Sequence, residues 1–276
     1  CPDLQPVPVT CNPAYIGREP TGKVNRVSKP IVHMFPCLKD NYGFLLHDPD
    51  TGETATIDTP EASRILAEAE AKGWTITQIW NTHWHPDHAG GNAEIVAKTG
   101  AKVVGPQEVD RIGAAPDRIL HEGDEVKLGA ITAHVHETPG HTLGHIVYNL
   151  PEAHIAFVGD TLFALGCGRL FEGTPAQMWT SLNKLRALPD DTTIYCAHEY
   201  TEANAKFALS VDATNRDLAA YAEDIAVKRS RGIPTVPTTI GREKKTNPFL
   251  RADDPGLQSF VGHPGMGHVT GGGDEL

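Results

Sequence analysis

The sequence predicts an α/β protein, a sandwich-like mixed domain followed by a smaller helical one. Two observations carry this expectation. Up to about residue 200, short apolar runs of strand length alternate with a few stretches of helical length. After Tyr200 the strand texture stops, and two helical segments follow before prolines and glycines take over. A chain of 276 residues has room for both parts.

From the N-terminus, residues 1–29 carry Pro2, Pro6, Pro8, Pro13 and Pro20 with little periodicity, and read as an irregular arm. The mixed domain is expected over 30–200. Residues 31–35 and 43–46 are strands joined by a turn-rich segment from Pro36 to Tyr42, and residues 54–58 are a third strand ending before Pro60. Residues 61–72 are rich in alanine and charge, with Ile65 and Leu66 apolar, and form a helix stopped by Gly73. A strand over 76–82 follows, then a helix opened by Gly90-Gly91-Asn92 and running over 93–98, then a strand over 102–104. Four more strands are expected at 125–128, 131–136, 146–149 and 155–158. Thr174-Pro175 is a good cap and first-turn pair for a helix over 175–188, and residues 194–197 are the last strand. Residues 201–276 are the helical domain, with helices over 202–210 and 214–230. The second sets Leu218, Tyr221, Ile225 and Val227 on its apolar side; Pro234 and Pro237 break the pattern, and the glycine-rich stretch 262–276 is expected to be loose.

The net charge of −11 argues against general binding to a nucleic-acid backbone. An anionic substrate would need a local basic pocket. No apolar run is long enough to span a bilayer. Five widely spaced cysteines, with no CxxC pair, argue against a disulfide framework and for a reducing, cytoplasmic setting. No signal-peptide pattern is visible.

The densest chemistry lies in Asn81-Thr82-His83-Trp84-His85-Pro86-Asp87-His88. Three histidines and an aspartate fall within six positions, directly after an apolar strand. Imidazole and carboxylate are the ligands that borderline divalent metals prefer. Packing does not explain the cluster, because these side chains are costly to bury unpaired. Three later strand-to-loop junctions offer partners: His141 after 131–136, Asp160 after 155–158 and His198 after 194–196. Each alone has a bland reading, a hydrogen-bonded histidine or a turn aspartate. Their recurrence after successive strands favours a shared site. His145 is a candidate support behind the ligands, and His134 and His136 are expected to face solvent.

The pattern His83-x-His85-x-Asp87-His88 with His141, Asp160 and His198 resembles the metallo-β-lactamase superfamily in its dinuclear hydrolase branch. That resemblance implies an αββα four-layer sandwich with a C-terminal helical domain. It implies that His83, His85 and His141 hold one divalent ion, that Asp87, His88 and His198 hold a second, and that Asp160 bridges them. Zinc is expected, and iron or manganese suit the same donors. Asp87 and Asp160 would also serve catalysis, Asp87 by orienting the attacking water.

Three further segments resemble the glyoxalase II family: Gly166-Cys167-Gly168-Arg169-Leu170-Phe171-Glu172-Gly173, Ala197-His198-Glu199-Tyr200-Thr201, and Arg242-Glu243-Lys244-Lys245-Thr246-Asn247-Pro248-Phe249-Leu250. Lys39-Asp40-Asn41-Tyr42 also fits. This resemblance implies hydrolysis of glutathione thioesters such as S-lactoylglutathione, with Arg169, Phe171, Tyr200, Arg242 and Lys245 binding the glutathione part. The family often has lysine and tyrosine where this chain has Arg169 and Phe171, so one donor changes shape and one hydroxyl is lost. A small-molecule substrate, no nucleic acid or membrane partner, and a monomer or weak homo-oligomer are expected. The competing readings are a lactam or lactone hydrolase, a mononuclear-iron persulfide dioxygenase, and a redox or metal-binding module without hydrolysis.

Overall fold

A computed structural model describes residues 28–113 and 115–261. The expected arm, up to residue 27, and the expected loose stretch over 262–276 lie outside the described residues.

The first sheet runs in the order β1 (Ile31–Cys37), β2 (Asn41–His47), β3 (Glu53–Ile57), β4 (Thr75–Trp80), β5 (Lys102–Gly105) and β6 (Arg118–Ile119). Its first three strands pair antiparallel, and from β3 onward the pairing is parallel. Helices α1 (Ala62–Lys72) and α3 (Asn92–Thr99) make the crossovers, with the four-residue α2 (Pro86–Ala89) just ahead of α3. The second sheet combines β7 (Glu125–Leu128), β8 (Ile131–Glu137), β9 (Ile146–Leu150), β10 (Ile155–Gly159), β13 (Thr193–Cys196) and β14 (Thr238–Thr239) in the order β14-β13-β10-β9-β8-β7. A small hairpin, β11 (Leu162–Phe163) with β12 (Gly166–Cys167), precedes α4 (Pro175–Arg186).

The period-two alternation of strands builds the layers. Leu45 and Ile79 point to one face of the first sheet, against Ile65 and Ala69 of α1 and Ile95 of α3. Phe44, Leu46, Ile57 and Trp80 point to the other, into a core shared with Val135, Tyr148 and Phe157 of the second sheet. The rings of Phe44 and Phe157 meet across the sheets at 5.7 Å, and Trp80 and Tyr148 at 5.2 Å. Met178, Leu182 and Leu185 of α4 join the same core. Helices therefore flank two packed sheets, the αββα sandwich expected from the resemblance.

Helix ends follow the local sequence. α1 stops where Gly73 takes a left-handed φ of 69°, and its amide caps two carbonyls of the last turn. Thr174 and Gln177 form a reciprocal capping box at the start of α4. Pro36 belongs to β1 and not to a turn; β1 is an edge strand, where a missing amide costs little.

Beyond β13 the chain is mainly helical. α5 (Thr201–Val211) and α6 (Arg216–Ser230) pack through Ala205, Ala208, Leu218, Tyr221 and Ile225, with Leu165 of the β11–β12 turn beneath them. Val227, expected on the apolar side, is 57% exposed. α7 (Ile240–Thr246) and α8 (Pro255–Val261) complete the described chain. The charged segment containing Arg242 and Lys245 is thus helical, and its Glu243 is fully buried.

Candidate metal centre

The ligand-bearing loops leave the ends of β4, β8, β10 and β13, strands drawn from both sheets. After β4 the chain runs without regular structure to His85, then Pro86 opens the single turn of α2 and brings His88 back beneath His83. Asn81 secures this turn. Its amide nitrogen donates to the His88 carbonyl at 3.0 Å, and its amide oxygen accepts from Asn92 at 2.7 Å.

The seven donors named from the sequence come together. Nδ1 of His85 lies 3.0 Å from Nε2 of His83 and 3.0 Å from Nε2 of His141. Oδ2 of Asp87 lies 3.5 Å from Nε2 of His88 and 3.4 Å from Nε2 of His198. Asp160 stands between the two groups. Its Oδ2 is 3.4 Å from His141 and 3.5 Å from His198, and its Oδ1 is 3.4 Å from His88. Gly168 lets the β12 loop close over this aspartate, because any Cβ there would run into the Asp160 carbonyl oxygen.

These residues fit two divalent ions. Oδ1 of Asp160 is buried and has no hydrogen-bond partner. Ring nitrogens of His83, His85 and His141 face one another rather than donors, an arrangement that is unfavourable without a cation between them. Three nitrogens bound at about 2.1 Å are the donor set of a borderline divalent metal. Burial holds His83, His85 and His141 below the usual imidazole range, in the neutral form that binds metal. Burial opposes charge on His198 as well, but Asp160, Asp40 and Asp87 outweigh it and push this ring up to about 10. His88 is raised by Asp160 and Asp58 against the same burial. Burial alone would raise Asp160; His198, His88 and His141 win and hold it well below the carboxylate range.

Hydrogen bonds behind the rings orient them. His88 Nδ1 lies 2.8 Å from Asp58, His198 Nδ1 lies 2.9 Å from Asp40, and His141 Nδ1 donates to the Arg169 carbonyl at 2.8 Å. His83 Nδ1 lies 3.0 Å from the Thr82 hydroxyl, and Asn41 donates to Asp87 at 3.0 Å. His145 is buried under Asp160 and accepts its amide at 3.1 Å, the supporting place expected for it. His134 and His136 instead face Glu125 and Glu122 on the outer side of β8. Sequence reasoning did not single out Asp58. A lone carboxylate at a strand end has no spacing signal.

Three of the five substrate-binding candidates flank the cluster. Tyr200 stacks on His198 with ring centroids 4.7 Å apart. Phe171 sets its ring edge-on to His85 and His141, at 5.6 and 5.3 Å. The Arg169 guanidinium lies 5.7 Å from the Phe171 ring. Arg242 and Lys245 are elsewhere. They line a separate cavity of about 760 Å³ with Tyr221, Asp190, Asp217 and Asp224, and no donor of the cluster lines it. Helical periodicity is the reason: α7 turns Ile240, Glu243 and Thr246 inward, which sends Arg242 and Lys245 to the outer face.

The inward residues brace the site. Glu243 accepts the Leu165 amide at 2.8 Å and the Thr238 hydroxyl at 2.6 Å. Asn247 donates to the carbonyls of Phe163 and Gly166 at 3.1 and 3.0 Å. The hairpin between Asp160 and Arg169 is thereby pinned from the C-terminal side.

Comparison with known proteins agrees with this geometry. The metallo-beta-lactamase superfamily model matches residues 50–198, and the model of the hydroxyacylglutathione hydrolase C-terminus matches 199–269. The hydroxyacylglutathione hydrolase of Erythrobacter litoralis is 63% identical over 226 residues, covering 82% of this chain and 90% of that protein. That of Maricaulis maris is 62% identical over 236 residues, covering 86% and 92%. Among solved structures, ETHE1 from Myxococcus xanthus superposes with a TM-score of 0.62 at 27% identity, covering 84% of this chain and 88% of that one. By both halves of its sequence, the chain belongs to the hydroxyacylglutathione hydrolase family of the metallo-beta-lactamase superfamily.

Proposed function

We propose that this protein hydrolyses S-(2-hydroxyacyl)glutathione thioesters, S-lactoylglutathione among them, to glutathione and a 2-hydroxy acid. The observation that carries the reading is the convergence of six buried or half-buried donors around Asp160, whose Oδ1 has no hydrogen-bond partner, in a chain of this family. In this reading His83, His85 and His141 hold one divalent ion, Asp87, His88 and His198 hold the other, and Asp160 faces both. Zinc, iron and manganese all suit the donors. Such ions supply Lewis acidity, which polarises a carbonyl and makes water a nucleophile near neutral pH.

The chain's own residues do the rest. Asp40 and Asp58 keep a proton on Nδ1 of His198 and His88, so that each Nε2 is the nitrogen that would give up its proton and hold an ion. Asp87, held by Asn41 on the open side of the cluster, orients the attacking water. Phe171 packs the edge of the His85 and His141 rings. Arg169 gives the anionic glutathione part a positive contact against the acidic global charge, and Tyr200 lines the side next to His198. A thiolate of a thiol with pKa about 8.5 leaves without a dedicated acid. Arg242 and Lys245, on the outer face of α7, keep the glutathione-binding role that the resemblance implies, from a cavity that the metal donors do not line. The reading takes the protein as cytoplasmic, monomeric or weakly self-associating, and without a nucleic-acid partner. No described helix is long and apolar enough to cross a membrane.

The test pairs S-lactoylglutathione with a chromogenic lactam on the purified, metal-analysed protein. Thioester turnover should dominate, and Asp160→Ala should lose bound metal and turnover together. Preference for the lactam, or full turnover by a metal-free variant, would sink the reading. Oxygen uptake with one iron per chain would point to a dioxygenase instead.

A further inference from the structure

His85 differs from the other histidines of the cluster. Those four each have a hydrogen-bond partner behind the ring, on Thr82, Asp58, Arg169 or Asp40. The Nε2 of His85 has none among the described residues. Metal-binding imidazoles nearly always have such a partner to fix the ring. Here the ring is set by packing, between Trp84 at 4.9 Å and Phe171 at 5.6 Å.

Glu172 holds one of these rings, Trp84, directly and is the chain neighbour of the other, Phe171. One oxygen of this carboxylate accepts Trp84 Nε1 at 3.1 Å and Arg111 Nη1 at 2.7 Å. The other accepts the Leu143 amide at 3.0 Å. Arg111 also lies 5.3 Å over the Trp84 ring, so that ring is held by its edge and by its face. The amides of Phe171 and Glu172 both donate to the His141 carbonyl, at 3.3 Å each. One carboxylate thus ties together the loop of His83 and His85, the loop of His141, and the loop that carries Phe171. The contacts of Asp87, His88 and His198 do not involve it.

We infer that Glu172 is a positioning residue for one half of the metal centre, acting on His85 through Trp84 and Phe171. The inference rests on the proposed division of the donors into two ion sites. It makes the halves separable: loosening the Glu172 tether weakens the ion at His83, His85 and His141 and spares the ion at Asp87, His88 and His198. A charge-bearing surface clamp of purely structural value would instead lower stability without sorting the two ions.

The test is graded chelator competition on zinc-loaded full chain, counting ions per chain, for wild type, Glu172→Ala, Glu172→Gln and Trp84→Phe. His85→Ala removes the same ligand outright and marks which ion is lost. Glu172→Ala should release that ion at about 10–100-fold lower chelator activity, while the second ion stays within about twofold of wild type. Trp84→Phe, which keeps the ring but loses the tethering N–H, and Glu172→Gln, which keeps an acceptor, should shift it the same way by less. In the thioester assay kcat should fall with KM nearly unchanged. Wild-type retention of both ions in Glu172→Ala would overturn the inference. So would equal weakening of both ions together with a lower melting point of the metal-free protein. A wild type that binds one ion would overturn the two-site reading instead, a result distinct from either.

Discussion

Asp58 does three things with one carboxylate. It accepts the Thr82 amide at 2.7 Å and the Thr82 hydroxyl at 2.8 Å, and it stands 2.8 Å behind His88. Asp58→Asn would turn an amide N–H toward the ring or force the ring to flip. The ion proposed at Asp87, His88 and His198 should then bind about 10–100-fold more weakly, read by chelator competition. Unchanged affinity would contradict the role. The residue scale also shows what the chain makes legible. His83, His85, Asp87 and His88 are conspicuous because their chemistry is wrong for a buried loop unless something binds there. Asp58 has the same buried placement but sits alone in sequence. Arg242 and Lys245 were read from the resemblance of their segment to the glyoxalase II family, which says nothing of the direction in which they point. The three- and four-residue rhythm of α7 decided where they point, and a seven-residue helix is too short for that rhythm to stand out.

At the scale of elements, the sheets are locked at their turns as well as in their core. Asp48, at the β2–β3 turn, accepts the Asp50 amide at 2.9 Å and the Thr51 hydroxyl at 2.9 Å. It also reaches across to the Ala130 amide, between β7 and β8, at 2.7 Å. Burial would raise its pKa, but the Ala130 and Asp50 amides and the Thr51 hydroxyl lower it on balance. A depressed carboxylate contributes stability above its unfolded value of about 3.9 and loses it as pH falls through the folded value below that. Asp48→Asn should cost about 1–3 kcal/mol at neutral pH, seen as a lower melting temperature. The gap from wild type should close below about pH 4; a gap undiminished there would exclude the charge as its source. The longer strands and helices were readable because an apolar pattern shows over four residues or more. The two-residue strands β6, β11, β12 and β14 carry no such pattern, and long-range pairing alone makes them strands.

For the whole molecule, the metal centre sits on the seam between the two sheets, and its donors come from far apart in the chain. His85 meets His141 across 56 residues, His88 meets His198 across 110, and Asp40 meets His198 across 158. Contacts of that separation form late, after the loop-closure entropy has been offset by the docked sheets. Metal should therefore act after the rate-limiting step of folding. Added zinc should leave the main refolding rate of the metal-free protein within about twofold, while it slows unfolding and raises the midpoint in denaturant. Refolding that accelerates in proportion to zinc would show the opposite order. The His83–His88 loop alone can capture an ion in the unfolded chain, which would trim the stabilisation without guiding the sheets together. A centre assembled from both sheets reports that folding has finished, so a newly made chain becomes competent to hold its second ion only once the sandwich has closed.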